Sequence, residues 1–91
     1  MGTRPGVDRV DVLDAVNDLM EKLTKRLNEK GNGSFSSKHE ILGVLEEEFH
    51  ELVDSVRKHG DTSEEIIQEL LDIAVGAIFG VACIKTKKVD W

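Results

Sequence analysis

The segment from Ile66 to Ile84 is apolar around nearly its whole circumference when it is read as a helix. Its large apolar residues are Ile66, Ile67, Leu70, Leu71, Ile73, Val75, Ile78, Phe79, Val81 and Ile84. A helix that is apolar on all sides is one that is buried on all sides. Two short amphipathic helices of the same chain cannot cover it. We therefore predict an all-α fold, an antiparallel helical bundle that is completed by homo-oligomerisation, with this helix packed against its counterpart in a second copy of the chain.

A first amphipathic helix is predicted over about Asp8 to Lys30. Its apolar residues recur at spacings of three and four, the period of one helix face: Val12, Leu13, Val16, Leu19, Met20, Leu23 and Leu27. Charged residues lie on the opposite side: Asp11, Asp14, Asp18, Lys22 and Lys25. We interpret this second set as a solvated face without chemistry.

Two capping signals mark the starts of two further helices. Ser37 with Glu40 fits a capping box that opens the second helix after the loop GNGSFSS, and Thr62 with Glu65 opens the third. The third helix is predicted from about residue 63 to about residue 85. The apolar face of the second helix is predicted to be Leu42, Leu45, Phe49, Leu52, Val53 and Val56.

Composition limits the classes of function. The chain has 91 residues, enough for one domain over 1–91 with tails at 1–7 and 86–91. Its 18 Asp and Glu against 12 Lys and Arg leave a net charge of -6, which argues against a nucleic-acid duplex as a partner. Cys83 is the only cysteine, so no internal disulfide forms, and we predict that it is a small buried apolar residue. No apolar signal core and no sufficiently long uncharged run are recognised, so we predict a cytoplasmic protein without a membrane span.

Two pairs of acids share one spacing on the second and third helices. Glu48 and Glu51 are three residues apart, as are Glu69 and Asp72. In antiparallel neighbouring helices, these four carboxylates would face one cleft. One or two magnesium ions would neutralise them, since this hard cation prefers oxygen ligands.

The acids of the third helix interrupt its most apolar part, where unpaired charge is costly. Gly76 and Gly80 continue the stripe of Glu69 and Asp72 towards the C-terminus. Each glycine costs about 1 kcal/mol relative to alanine in a helix interior. We therefore predict that another helix approaches closely there, and that the stripe leaves room beside the acids.

The two acidic motifs carry a resemblance to a known family. EEFHE, a 17-residue interval and ELLD resemble the EExxE, spacer and ExxD signature of the all-α nucleoside triphosphate pyrophosphohydrolases, in their small MazG-like branch. The resemblance implies magnesium-dependent hydrolysis of a (deoxy)nucleoside triphosphate to the monophosphate and pyrophosphate, with manganese as a possible substitute. It implies assembly as a homodimer or homotetramer, and Glu48, Glu51, Glu69 and Asp72 as metal ligands. Glu47 would support them, so that Glu47 and Glu48 form the catalytic pair.

The basic residues that would hold the phosphates are less clearly marked. Larger relatives have further helical sequence after the second motif, whereas the sequence here ends with CIKTKKVDW. We predict Lys38, Lys85 and Lys88 as substrate-binding residues. An aromatic ring would stack on the base, and the candidates for it are Phe35, Phe49 and Trp91.

Two other classes of protein fit parts of the pattern. A di-iron carboxylate bundle uses a Glu-x-x-His element, which Glu47 and His50 match, but it needs that element twice, and the third helix has Asp72 in place of a second histidine. A non-catalytic helical oligomerisation or regulatory module would explain the apolar third helix. It would not explain why Glu69 and Asp72 share a stripe with the glycines.

Overall fold

The computed structural model describes residues 3–58, 60 and 62–89, and three α-helices make up most of them. Helix α1 spans Arg9–Lys30, α2 spans Lys38–Arg57 and α3 spans Ser63–Lys85. These bounds agree with the sequence predictions to within a residue or two, and the described residues contain no β-strand. The all-α class is therefore confirmed. The sequence pair His59-Gly60 predicts the end of the second helix. His59 lies outside the described residues, as does Trp91, one of the candidates for the stacking ring.

The capping signals explain where α2 and α3 begin. At α3 the capping box is complete: Thr62 Oγ1 accepts from the Glu65 amide at 3.2 Å, and Glu65 Oε2 accepts from the Thr62 amide at 3.3 Å. At α2, Ser37 Oγ accepts from the Glu40 amide at 3.2 Å, but Glu40 Oε1 accepts from the amide of Ser36 at 2.7 Å. The predicted box at α2 is therefore half formed, with its glutamate bound one residue earlier.

Helices α2 and α3 pack as antiparallel neighbours, and the two glycines set their closest approach. A methyl group at Gly76 would lie 3.2 Å from Leu45 Cδ2, and one at Gly80 would lie 3.3 Å from Ile41 Cγ2. In these two contacts the residue number increases along α3 while it decreases along α2, so the two helices run antiparallel. The predicted close approach is confirmed, and its partner is α2 of the same chain.

The face that α2 presents to α3 differs from the predicted one. Half-buried residues on α2 include Ile41, Val44, Leu45, Glu48 and Leu52. Leu42, Phe49 and Val56, which we placed on the core face, are 56%, 56% and 61% exposed. The helix is thus rotated so that Glu48 lies within its packed face, because the glycines of α3 receive Ile41 and Leu45 there. The row of Leu42, Phe49 and Val56 faces solvent in the single chain.

Helix α1 packs on α3 alone in the described part of the chain. Its residues meet α3 residues 46 positions later, Lys22 beside Gln68 and Arg26 beside Asp72, so α1 and α3 run in the same direction. By this offset the first turns of α1 extend beyond the start of α3. Every residue from 9 to 18 is exposed, and no residue of α1 is buried. A gap remains between α1 and α2.

Little of the apolar surface is buried within one chain. The buried apolar residues among those described are Val75, Cys83 and Val89, which confirms the interpretation of Cys83. On α3, five large apolar residues are at least 41% exposed: Ile67, Leu70, Ile78, Val81 and Ile84. Helix α3 is also the one described helix that is long and apolar enough to cross a membrane, a test that core helices of soluble proteins pass as well. The cytoplasmic location stays a prediction.

Candidate functional site

Four carboxylates from α2 and α3 converge on one point. Glu48, Glu51, Glu69 and Asp72 each offer an oxygen, and these oxygens all lie within 4.8 Å of one another. The i, i+3 spacing places two acids on one side of each helix. The antiparallel order then brings Glu48 opposite Asp72 and Glu51 opposite Glu69. The structure therefore brings together the four residues that we predicted as metal ligands.

Burial makes this cluster costly in the absence of a cation. Oε2 of Glu48 and Oε2 of Glu69 are buried and have no hydrogen-bond partner. Glu51 can partner these oxygens only when one carboxyl is protonated, because two ionised carboxylates have no donor between them. A buried polar atom without a partner costs roughly 1–3 kcal/mol, and more when it is charged.

The same crowding changes the acidity of the cluster. Burial raises the pKa of Glu48 to about 7, and the negative charges of Glu51 and Asp72 add to the increase. Burial also raises the pKa of Glu69, as do the charges of Glu51 and Asp72, while Lys22 lowers it. Both raised pKa values mean that the charged form of the cluster is disfavoured. Oxygen-only donors, two of them buried and unpartnered, fit a hard divalent cation that would compensate this charge.

Two cations of α1 contact the cluster, which corrects the interpretation of Lys22 as part of a solvated face. Lys22 Nζ lies 2.8 Å from Asp72 Oδ1, and Arg26 Nη2 donates to the same oxygen at 3.1 Å. Lys22 also donates to Gln68 Oε1 at 2.8 Å and to the Gln68 carbonyl oxygen at 3.2 Å. Its side chain is only 21% exposed. The sequence does indicate that Lys22 and Arg26 lie at the edge of the apolar face of α1, because they flank the apolar Leu23. It does not indicate which helix packs against that edge.

The rest of the predicted solvated face of α1 is as expected. Lys25 is 76% exposed in its side chain and pairs only loosely with Glu29, at 4.0 Å. Asp11, Asp14 and Asp18 are exposed as well. Lys25 and Lys22 thus carry the same charge on the same helix, but of the two only Lys22 contacts the acidic cluster.

A cavity of about 360 Å³ opens beside the four acids, in the gap between α1 and α2. Its apolar wall contains Leu23, Leu27, Phe35, Val44, Val75 and Phe79. The rings of Phe35 and Phe79 pack edge to face with centroids 5.3 Å apart. Glu48 and Asp72 line the end near the cluster, Arg26 and Lys30 line the α1 side, and Gly76 leaves space because it has no side chain. The cavity therefore combines acidic, basic and apolar walls.

The remaining predicted site residues lie in different places. Glu47 is exposed and lines the cavity next to Glu48, so it lies where a supporting acid is expected. Lys38 begins α2 and Lys85 ends α3, about 15 Å and 20 Å along their helices from Glu48 and Asp72. Lys38, Lys85 and Lys88 are absent from the described lining of the cavity. The structure does not bring these lysines to the acids, and their role in substrate binding stays a prediction.

Comparison with known proteins yields no relative. No family model, no curated protein and no solved structure matches the chain. The resemblance to the MazG-like pyrophosphohydrolases therefore depends on the two acidic motifs. The geometry of the cluster and of the cavity provides the independent basis for a function.

Proposed function

We propose that this chain is a magnesium-dependent nucleoside triphosphate pyrophosphohydrolase, which converts a (deoxy)nucleoside triphosphate to the monophosphate and pyrophosphate. The observation that supports it is the convergence of four carboxylates whose oxygens lie within 4.8 Å, with two oxygens buried and unpartnered. A solvated acidic face would not bury unpartnered oxygens in this way. A cavity with an apolar wall adjoins them and has room for a base.

The residues divide the task between them. Glu48, Glu51, Glu69 and Asp72 would hold the cation. Magnesium, or manganese in its place, supplies positive charge that acidifies water and stabilises the charge of the departing pyrophosphate. Glu47, exposed beside Glu48 at the cavity, would orient the attacking water with its carboxylate and accept its proton. The apolar residues between α1 and α3 would enclose the base and exclude water from it.

The two alternative classes account for less of the site. In a di-iron bundle His50 would be a ligand, but it is exposed and does not belong to the group of converging side chains. A purely structural module would gain nothing from Glu48 and Glu69, whose buried oxygens lower the stability of the pair of helices. Neither class uses the cavity beside the acids.

The first expected result is the identity of the product. Purified protein with magnesium should release pyrophosphate, and not orthophosphate, from at least one member of a panel of ribo- and deoxyribonucleoside triphosphates. Ion chromatography of the reaction distinguishes the two products and identifies the nucleotide. Chelation of the metal should stop the release, because the four acids then lack the charge that holds the phosphates near them. Orthophosphate as the first product would contradict the proposal.

We further propose that the chain acts as a homodimer or homotetramer. Each of the three helices carries large apolar residues that are exposed in the single chain. The first turns of α1 extend past the start of α3, and Val10, Leu13 and Val16 are exposed there in the single chain. A small chain with so few buried residues gains most of its remaining hydrophobic stabilisation by association.

Charge on the exposed α3 face should break this assembly. Val81 is 52% exposed and lines none of the site's cavity. Val81→Glu is expected to lower the mass found by size exclusion with light scattering towards 10.1 kDa, the mass of one chain, because a buried interfacial carboxylate is costly. Val81→Thr, which has nearly the same shape and no charge, is the control and should keep the larger mass. A wild-type chain that is monomeric at micromolar concentration would refute the assembly.

A further inference from the structure

Arg26 connects the acidic cluster to the cavity. Its Nη2 donates to Asp72 Oδ1 at 3.1 Å, and Arg26 itself lines the cavity with Lys30, one helical turn later. Its side chain is 33% exposed, so part of the guanidinium faces the open space. Lys22 lies on the same Asp72 oxygen but lines no part of this cavity. The two α1 cations therefore share one carboxylate oxygen, but of the two only Arg26 lines the cavity.

We propose that Arg26 and Lys30 form an anion subsite in this cavity, which binds the phosphate groups of a polyphosphate ligand. A guanidinium has five donors in a planar fork that matches phosphate oxygens. The single hydrogen bond to Asp72 leaves most of these donors for a ligand. Lys30 adds a second positive charge on the same wall. This subsite deepens the proposed function, on which it depends for the identity of the ligand as a nucleotide.

The contacts of Lys22 indicate how α1 stays in place when Arg26 binds a ligand. Lys22 donates to the side chain and the carbonyl of Gln68 in addition to Asp72. If a divalent cation engages Asp72, Arg26 loses charge attraction to that carboxylate, while Lys22 keeps its two contacts with Gln68. Lys22 is thus the residue that positions α1, and Arg26 is the residue whose donors turn to the ligand.

The subsite also provides the positive charge that phosphate groups need beside a cluster of four acids. Two of the lysines predicted from the sequence, Lys38 and Lys85, lie about 15 Å and 20 Å along their helices from the acids. Arg26 lies at hydrogen-bond distance from one of them. A triphosphate whose oxygens approach the cluster through a cation would meet Arg26 and Lys30 on the adjoining α1 wall of the cavity. The apolar wall would then take the uncharged end of the ligand.

Tripolyphosphate tests the subsite without a base and without turnover. Its binding to magnesium-loaded protein, with magnesium in excess, is measured by isothermal titration for the wild type, Arg26→Gln and Lys25→Gln. We expect Arg26→Gln to weaken binding about 10-fold or more, because charge-assisted hydrogen bonds are lost. Lys25→Gln removes the same charge from the same helix, one residue away and outside the cavity, and should change binding less than 2-fold. Equal loss in both variants, or no binding to the wild type, would overturn the subsite.

A purely structural role for Arg26 gives a different pattern. Arg26→Lys keeps the charge and can still pair with Asp72, so it should unfold at nearly the wild-type temperature while it binds tripolyphosphate more weakly, since the fork is lost. Wild-type affinity in Arg26→Lys and in a folded Arg26→Gln would show that Arg26 only tethers α1. Tripolyphosphate binding through Arg26 in a protein that hydrolyses no nucleotide would keep the subsite and reject the pyrophosphohydrolase. Nucleotide hydrolysis by the wild type, together with an unchanged tripolyphosphate affinity in Arg26→Gln, would keep the pyrophosphohydrolase and reject the subsite.

Discussion

Glu48→Gln is expected to reduce magnesium-dependent pyrophosphate release by at least ~100-fold, a larger loss than is typical for residues that only orient a metal ligand. Glu48 lies within the packed face of α2, and its oxygen belongs to the group that converges within 4.8 Å. The amide has nearly the same shape but no negative charge for the cation. Initial rates at saturating magnesium, together with the magnesium affinity from titration calorimetry, measure the effect.

Glu46→Gln provides the matched control for this variant. Glu46 lies two residues away on the same helix, is exposed, and does not belong to the converging group. Its replacement changes the net charge by the same amount and should leave the rate within about 2-fold, as expected for a surface change away from such features. Circular dichroism should show equal helix content in both variants. If Glu48→Gln keeps its activity while Glu46→Gln loses it, the site has been assigned to the wrong face of α2.

In the metal-free protein, stability is expected to fall as the pH rises from about 5 to about 8. The folded-state pKa of Glu48 is raised from 4.5 to about 7, and that of Glu69 is raised too. A folded state that binds protons more tightly than the unfolded state loses stability as those protons leave. The loss begins above the ordinary carboxyl pKa and is complete above about pH 7. For Glu48 it amounts to about 2 kcal/mol after allowance for solvent screening, or about 10 °C in Tm.

Magnesium should remove this loss. At pH 8 the ionised acids can hold the cation, and binding to the folded state alone raises the melting temperature. Thermal unfolding is followed by circular dichroism from pH 5 to 8, in chelator and in magnesium. Glu48→Gln should flatten the metal-free profile, whereas Glu46→Gln should keep the wild-type slope. A metal-free profile that is flat over this range would mean that the pKa values of the acids are not perturbed by folding, and one that rises would mean that folding lowers them.

The helices and their starts are predictable because their signals are local. Thr62 and Glu65 lie within one turn, so the hydrogen bonds of their capping box form as soon as the helix does. Glu40 shows the limit of this reasoning, since it binds the amide of Ser36 and not that of Ser37. The choice between two adjacent amides depends on the path of the preceding loop, which no short pattern specifies.

The convergence of the acids is also predictable, for a reason that is nearly local. The two i, i+3 pairs lie on helices joined by a short turn, and a short turn makes neighbours antiparallel. The prediction of the α2 face was less accurate, because hydropathy alone favoured Leu42, Phe49 and Val56 for the core. In the structure Ile41 and Leu45 pack against the two glycines, and this packing turns a different face of α2 towards α3. That packing also explains why Glu48 is half-buried.

By itself the sequence determined three helices, where they begin and the spacing of the acids that two of them carry, because helical period and capping act over a few residues. Only the tertiary structure decided that α1 runs parallel to α3 and places Lys22 and Arg26 on Asp72. It also decided that a gap between α1 and α2 forms the cavity. These features join residues that are far apart in the sequence, such as Arg26 and Asp72, which are 46 positions apart. They depend on how whole helix faces pack, and a charged residue on a helix edge looks the same in sequence whether that edge meets water or another helix.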